Sequence, residues 1–192
     1  MSLASLRRAA STCRQCDLYK NATQTVFGEG PAHARMMMVG EQPGDQEDKA
    51  GEPFVGPAGR LLTAAIADAG LDRSTVYLTN AVKHFKFTER GKRRIHQKPS
   101  RTEAVACHPW LLEELAAVKP ELVVCLGAVA AQSLLGPSFL VTRHRGEIST
   151  LPESTTRVLA TVHPSAVLRA EDRDAAYRDF VNDLTAARTA LE

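Results

Sequence analysis

The chain has 192 residues, of which 44% are hydrophobic and 24% charged, and its formal net charge is +2. This composition is typical of a globular protein, and the length suits one domain with its own core, so we expect a single domain over residues 1–192. The longest apolar run, residues 122–131, is too short to cross a bilayer. The start is rich in Ser and Arg like a transit peptide, but Cys13 and Cys16 follow at once, and a cleaved leader would leave no room before them. We therefore expect a cytoplasmic protein, and we also expect a monomer.

The first half of the chain predicts two helices and two strands. A helix is expected over residues 3–19, and the apolar run 35–40, which ends in Gly, predicts a buried strand. A long Gly- and Pro-rich loop follows from Glu41 to Gly56. Pro57 suits the first turn of a helix that ends near Gly70. Residues 75–79 predict a second strand, which a basic loop follows.

The second half continues the alternation. Ser100 and Glu103 form a capping-box pattern, which predicts a helix running to about Val118. Residues 122–127 and 157–162 predict strands, 128–135 and 172–191 predict helices, and 139–141 with 147–149 suggest a small hairpin. Short continuous apolar strands that alternate with helices predict an α/β fold, here a three-layer α/β/α sandwich with a four-stranded parallel sheet.

Polar residues follow each of the four predicted strands. In an open α/β sheet, ligands bind beyond the carboxyl ends of the strands. The segments at those ends should therefore meet at one edge of the sheet and form a binding site. They are residues 40–45, 80–84, 127–128 and 163–165.

The segment from Asn80 to Arg101 is strongly basic. It contains eight basic residues against the single acid Glu89. A charge run is often only a solvated face, but this concentration in a nearly neutral protein makes nucleic acid an equally good explanation. The basic residues are Lys83, Lys86, Arg90, Lys92, Arg93, Arg94, Lys98 and Arg101.

Several strings in the chain match motifs of a known family. Residues 40–44 (GEQPG) and 51–59 (GEPFVGPAG) resemble the first motif of family 4 uracil-DNA glycosylases, and His163-Pro164-Ser165 resembles their second motif. Residues 79–83 (TNAVK) resemble their second-strand segment. Each string alone is weakly specific, but together they occur in the family's order over almost the whole chain. The resemblance implies a uracil-DNA glycosylase-like fold and a DNA-repair enzyme that excises uracil.

The chain departs from the usual family 4 pattern in three places. Gln42 stands where Gly is usual, His84 stands where Cys is usual, and residues 91–96 (GKRRIH) extend the basic loop. All three departures resemble the UdgX branch, whose members are iron–sulfur proteins that stay covalently attached to the DNA on which they act.

The resemblance implies a 4Fe-4S cluster held by Cys13, Cys16, His84 and Cys107. From the residues alone, the four cysteines would be the expected ligands, since such clusters usually bind four thiolates. Cys125, however, lies in an apolar strand, where a free Cys behaves as a small hydrophobe. We therefore favour His84, because imidazole can replace a thiolate. A zinc site with the same ligands is the alternative.

A glycosylase must flip its target nucleotide out and recognise the base by stacking and by hydrogen bonds to its edge. The Asn80 amide can donate to O4 of uracil and accept from N3–H, and Phe54 can stack on the flipped base. On the sequence alone, Asn80 could equally well be a turn residue after a strand, and Phe54 could be a plain core residue. Gln42 and Gly44 of the first motif are also predicted to bind uracil or DNA.

Cleavage of the N-glycosidic bond leaves negative charge on uracil. His163 is predicted to donate a hydrogen bond to the anion that develops at O2. Without the resemblance, His163 would be an ordinary loop histidine. Pro164 would fix the turn that aims it, and Ser165 is placed to meet a phosphate.

His96 is predicted to be a nucleophile. A histidine in a basic loop is more often a DNA contact, but the UdgX-like loop favours attack on C1′ of the sugar. Glu41 is the candidate that removes the proton from the resulting imidazolium. Asp45 and Asp48 could position a water or hold the loop. Lys92, Arg93 and Arg94 are predicted to bind the DNA backbone.

The expected activity is therefore excision of uracil, preferably from single-stranded DNA, where no base pair has to be broken. The abasic sugar would then become bonded to His96. Two alternatives remain from the sequence: a conventional glycosylase that turns over with water, and a non-catalytic iron–sulfur protein that binds nucleic acid.

Overall fold

A computed structural model describes residues 1–192. The α-helices are α1 (Leu3–Ala10), α2 (Asp45–Ala50), α3 (Pro57–Asp68), α4 (Arg101–Val118), α5 (Ala128–Leu135), α6 (Val141–His144), α7 (Pro164–Leu168) and α8 (Arg173–Thr189). The strands are β1 (Met36–Gly40), β2 (Val76–Asn80), β3 (Phe87–Arg90), β4 (Arg93–His96), β5 (Leu122–Leu126), β6 (Ile148–Thr150) and β7 (Arg157–Thr161). Two short 3-10 turns cover Asp17–Lys20 and Arg73–Thr75.

The central sheet has five strands in the order β2-β1-β5-β7-β6. The four predicted strands β1, β2, β5 and β7 are parallel, which confirms the α/β class, but the predicted number of four strands was wrong. The fifth strand, β6, is antiparallel to β7. It has only three residues, all exposed, so it lacks the apolar run that marks the other four.

Both faces of the sheet are covered, because alternate residues of each strand point to opposite sides. On β1, Met37 and Val39 join one core cluster, which α4 and α5 cover. Met36 and Met38 join the other cluster, which α3 and α8 cover. The result is helices, sheet and helices in three layers.

Two other expected elements differ in the structure. The first helix ends at Ala10 instead of continuing to residue 19, and the hydroxyls of Ser11 and Thr12 donate back to the carbonyls of Arg8 and Ala9. Such local bonds compete with a continuing helix. The expected hairpin of 139–141 with 147–149 is also wrong, because Val141 begins α6 and β6 pairs with β7 instead.

The basic loop contains an antiparallel hairpin of β3 and β4. Arg90 pairs with Arg93, so Gly91 and Lys92 form a two-residue turn, in which Gly91 has a φ of 62°. Glycine adopts this left-handed conformation without the steric cost that other residues incur. His96 is the last residue of β4, where it pairs with Phe87. No helix in the structure is long and apolar enough to cross a membrane.

Candidate active site and metal-binding residues

The loops that follow β1 and β2 are tied together at the carboxyl edge of the sheet. The Ala81 N–H donates to the Gly40 carbonyl at 2.9 Å, and the Val82 N–H donates to the Glu41 carbonyl at 2.9 Å. These bonds extend the parallel register of the two strands by two residues. They place Glu41 and Asn80, which are far apart in the sequence, at the same edge.

Phe54 packs close to His163 at this edge. Its ring lies 6.4 Å from the ring of His163, with 27° between the two planes. The backbone φ of Phe54 is 57°, an uncommon conformation for a large residue. Gly40 permits the close approach, since a Cβ there would lie 2.6 Å from Cζ of Phe54 and 2.5 Å from Oδ1 of Asn80.

Asn80 carries an unsatisfied polar atom close to Phe54. The residue is 3% exposed, and its Oδ1 has no hydrogen-bond partner. Buried polar atoms in proteins are nearly always hydrogen-bonded, so an isolated acceptor indicates a site for a donor from a ligand. The N3–H group of a pyrimidine is such a donor.

His163 follows β7 and caps α7. Its Nδ1 accepts a hydrogen bond from the Ser165 N–H at 3.1 Å, and Ser165 Oγ lies 2.8 Å from the same atom. Burial lowers the pKa of His163 to about 4, an effect that the charge of Glu41 opposes only in part. The ring is therefore neutral near pH 7. Because Nδ1 accepts the Ser165 hydrogen bond, the ring hydrogen is on Nε2, which can donate a hydrogen bond to a ligand.

Glu41 and His96 are in direct contact. Nε2 of His96 lies 3.0 Å from Oε1 of Glu41, and the side chain of His96 is 54% exposed while that of Glu41 is 22% exposed. Burial raises the pKa of Glu41, but the hydrogen bond and charge of His96 outweigh it, so the pKa lies below its usual value. A carboxylate only accepts, so Nε2 carries the hydrogen and neutral His96 keeps its lone pair on Nδ1.

Arg94 attaches the hairpin to α2. Its Nε donates to Asp45 at 2.6 Å, its NH1 group donates to the buried Asp48 at 2.6 Å, and its guanidinium lies over the rings of Phe85 and Phe87. Both Asp45 and Asp48 therefore hold the loop, which was one of the two roles considered for them. Asp45 also binds Lys49, and that hydrogen bond and those of Arg94 lower the pKa of Asp45.

Gln42 fixes the base of the same hairpin. Its Nε2 donates to the carbonyls of Gln97 at 2.8 Å and Lys86 at 3.3 Å, and its Oε1 accepts from the Lys86 N–H at 2.8 Å. Both the nitrogen and the oxygen of the Gln42 amide thus have hydrogen-bond partners within the chain. Gly44 begins α2, and its N–H donates to Glu47, which also accepts from the Gly56 N–H at 2.8 Å.

The basic segment does not form one solvated face. Lys92 and Arg93 are exposed at the hairpin turn, where the resemblance predicted DNA contacts. Arg94 is only 17% exposed and forms ion pairs with Asp45 and Asp48. Lys83 has no exposed surface and forms a buried ion pair with Glu114. Lys86 pairs with Glu103 at 3.0 Å.

Three of the four predicted metal ligands lie close together. Cys16 and Cys107 contact the same small hydrophobic cluster, and the charges of Cys13 and Cys16 both raise the pKa of Cys107. The larger effect on Cys107 is burial, which raises its pKa to about 11, whereas the charge of Lys83 lowers it. Sγ of Cys107 accepts from the Lys83 N–H at 3.2 Å, and Sγ of Cys13 accepts from Nε1 of Trp110 at 3.2 Å.

His84 has one ring nitrogen engaged within the chain and the other free. The Thr25 hydroxyl donates to the Ala10 carbonyl at 3.0 Å, so at 2.9 Å it must accept the hydrogen of His84 Nε2. This leaves the lone pair on Nδ1, and burial lowers the pKa of His84, which favours the neutral ring. Cys125 has no exposed surface and packs in the core of the sheet. No group of three or more His, Cys, Asp or Glu side chains converges on a point that would hold a single metal ion.

Sequence reasoning missed the buried pair of Lys83 and Glu114. The carboxylate of Glu114 also accepts from Gly28 N–H, Tyr77 OH and Thr79 OH. Lys83 looked like part of a charged run, and Glu114 like one of several acids on the predicted helix. No spacing signal connects the two residues. Glu47, which holds two loops of the first motif, was missed for the same reason.

An aromatic ring, an unsatisfied amide oxygen and a neutral imidazole lie together here, a combination suited to a flat ring with hydrogen-bonding edges. Their position at the carboxyl edge of a parallel sheet is where α/β proteins bind ligands. The sequence profile of the uracil DNA glycosylase superfamily matches residues 27–185. The chain belongs to this superfamily.

Similar proteins include several type-4 uracil-DNA glycosylases. That of Archaeoglobus fulgidus is 38% identical over 186 residues, covering 93% of this chain and 90% of its own. That of Pyrobaculum aerophilum is 34% identical over 190 residues, covering 96% and 92%. That of Thermotoga maritima is 38% identical over 159 residues, covering 82% and 78%. These relatives support the family 4 resemblance of the motifs.

Proposed function

We propose that the protein excises uracil from DNA and then bonds to the abasic sugar through His96. The observation that carries the excision is the buried Asn80 Oδ1, which has no partner within the chain and lies beside Phe54. Uracil would supply its N3–H to this oxygen while its ring stacks on Phe54. The type-4 relatives, which are named as uracil-DNA glycosylases, support the same assignment.

His163 would stabilise the leaving uracil. As the bond between N1 and C1′ breaks, the electron pair remains on uracil and negative charge develops at O2. The Nε2–H of neutral His163 donates to this oxygen, and Ser165 keeps the ring in that tautomer. Because its pKa is lowered to about 4, the ring of His163 is neutral near pH 7, and it stabilises the anion as a neutral hydrogen-bond donor and not as an acid.

His96 would capture the sugar. The Nδ1 lone pair attacks the oxocarbenium carbon C1′, and a bond between that carbon and nitrogen forms. The adduct begins as an imidazolium, and Glu41, 3.0 Å from Nε2, accepts the Nε2 proton. The product is a neutral imidazole glycoside, which leaves much less readily than an imidazolium. The turnover alternative differs only in that water, not His96, reaches C1′.

A 4Fe-4S cluster would be held by Cys13, Cys16, Cys107 and His84. The effect of Cys13 and Cys16 on the pKa of Cys107 shows that the three thiols are close together, and this proximity and the neutral ring of His84 fit such a cluster. Ligands of such a cluster bind different iron atoms, so they need not converge on one point. The cluster would join the N-terminal segment to α4 and to the loop after β2.

The DNA would be single-stranded by preference, because a flipped nucleotide then breaks no base pair. Lys92 and Arg93, exposed at the hairpin turn, would neutralise phosphates next to the nucleotide that His96 meets. Arg94, which was predicted to bind DNA as well, would act by holding the hairpin.

Denaturing electrophoresis of the protein with a uracil-containing single strand tests the proposal. We expect a protein–DNA species that survives SDS, together with released uracil. Free abasic DNA without that species would support the turnover alternative, and unchanged DNA would support a non-catalytic binding protein. Asn80→Ala should lose excision while it keeps its affinity for DNA without uracil, because it reads the base and not the phosphates.

A further inference from the structure

A cavity lies between α4 and α5. Its volume is about 470 Å³. Lys98 and Arg101 line it, Val129 contributes apolar surface, and His108, Gln132 and Ser133 supply polar groups. Lys98 follows the hairpin and Val129 lies in the first turn of α5, directly after β5, so this part of the cavity lies at the carboxyl edge of the sheet.

Lys98 connects the cavity with the catalytic pair. Lys98 is two residues beyond His96, and its charge contributes to the lowered pKa of Glu41. A strand whose uracil lies in the base pocket would therefore bring a neighbouring nucleotide close to this cavity. Lys98 and Arg101 are both exposed and positively charged, which suits the phosphate that links the two nucleotides.

The polar groups of the cavity have unused hydrogen-bonding capacity. Nε2 of His108 is buried and has no partner. Gln132 donates through Nε2 to the Phe139 carbonyl at 3.1 Å, which leaves its Oε1 available as an acceptor. The edges of nucleobases carry the matching N–H and C=O groups. The combination of basic rim, apolar wall and unpaired polar atoms favours a nucleotide over an apolar peptide.

We propose that the cavity between α4 and α5 binds the base of a nucleotide next to the target uracil in single-stranded DNA. The inference rests on the proposed function, because it requires a uracil in the neighbouring pocket. In a duplex this neighbouring base would be stacked and paired, so the cavity would favour single-stranded substrates.

The test combines a changed substrate with a changed cavity. In the substrate, an abasic spacer replaces the nucleotide on one side of uracil or on the other, so that the phosphates remain and only one base is lost. In the protein, Gln132→Phe fills the cavity. Ala116→Phe is the matched control, since Ala116 lines a different cavity of about 780 Å³. Single-turnover excision is measured at protein concentrations below saturation.

We expect the spacer on one side to slow excision by the wild type by about tenfold, the effect of losing one well-paired contact. The spacer on the other side should have a smaller effect. Gln132→Phe should slow excision of the intact strand to a similar extent and show no further loss with the spacer. Ala116→Phe should behave as the wild type with every substrate.

Two results would overturn the inference: no loss with either spacer in the wild type, or the same loss in Gln132→Phe as in the wild type. Both leave uracil excision itself intact. If the wild type excised uracil from none of these strands, the proposed function would fail instead. The two failures are therefore distinguishable in one set of reactions.

Discussion

The buried pair of Lys83 and Glu114 allows a quantitative prediction of stability. Both side chains have no exposed surface. Nζ of Lys83 also donates to Thr79 Oγ1 at 2.7 Å and to the Asn80 carbonyl at 2.6 Å. Lys83→Met removes these three partners at once and leaves the Glu114 carboxylate buried without its counter-charge.

Removing one member of a buried ion pair typically costs about 3–5 kcal/mol of unfolding free energy. A domain of this size loses roughly 2–4 °C in Tm for each kcal/mol, so Lys83→Met should lower Tm by roughly 6–20 °C. The double variant Lys83→Met with Glu114→Gln removes both charges and should recover most of this loss, because the Gln oxygen can still accept from Gly28 and Tyr77. A matched control is Lys20→Met.

Lys20 pairs with Asp17 at 2.8 Å, but the two side chains are 56% and 86% exposed, so the control should leave the unfolding free energy almost unchanged. Urea or thermal unfolding gives the stability of the wild type, Lys83→Met, the double variant and Lys20→Met. The four samples are compared at equal iron content. The reasoning would be refuted if Lys83→Met lost no more than the control, or if the double variant were no more stable than Lys83→Met.

Other predictions concern DNA binding, the metal ligands and pH. Lys92→Ala with Arg93→Ala should flatten the dependence of log affinity on log salt by up to roughly two units, and an unchanged slope would place the turn away from phosphates. His84→Ala should lose iron, while Cys125→Ala should retain it; the reverse result in an iron assay would contradict the ligand set. The folded state holds the pKa of His163 at about 4, below its ordinary 6.5. Protonation therefore opposes folding, and stability that is complete above pH 6.5 should be lost as the pH falls towards 4. In urea titrations at several pH values, the unfolding free energy of His163→Gln should fall less than that of the wild type between pH 6.5 and 4. An equal fall would show that protonation of His163 is not the cause.

The sequence predicts the parts of the fold that depend on local pattern. The four parallel strands are continuous apolar runs, and the capping box of Ser100 and Glu103 begins α4 as expected. The edge strand β6 escaped prediction because its three exposed residues have neither an apolar run nor an alternating pattern. Its position depends on pairing with β7, which is a tertiary contact.

The site could be predicted only as far as the motifs extend. Glu41 and His96 were expected to work together, and the structure places them 3.0 Å apart. The anchoring of Arg94 by Asp45 and Asp48 was not predicted, because the partners are 49 and 46 residues apart and a basic run looks alike whether it faces solvent or an acidic helix. The burial of Lys83 was not predicted for the same reason, because it depends on Glu114, which is 31 residues away in the sequence.

The attachment of His96 to the DNA is the central claim, and mass spectrometry of the product tests it most directly. Wild-type protein is reacted with a uracil-containing single strand, its intact mass is measured, and the modified peptide is mapped. We predict a mass increase equal to the DNA strand after loss of uracil, with the modification on His96. His96→Ala should form no adduct yet retain the uracil pocket, so excision with water can continue. A stable adduct in His96→Ala, or one that maps to Lys92 in the wild type, would contradict the account.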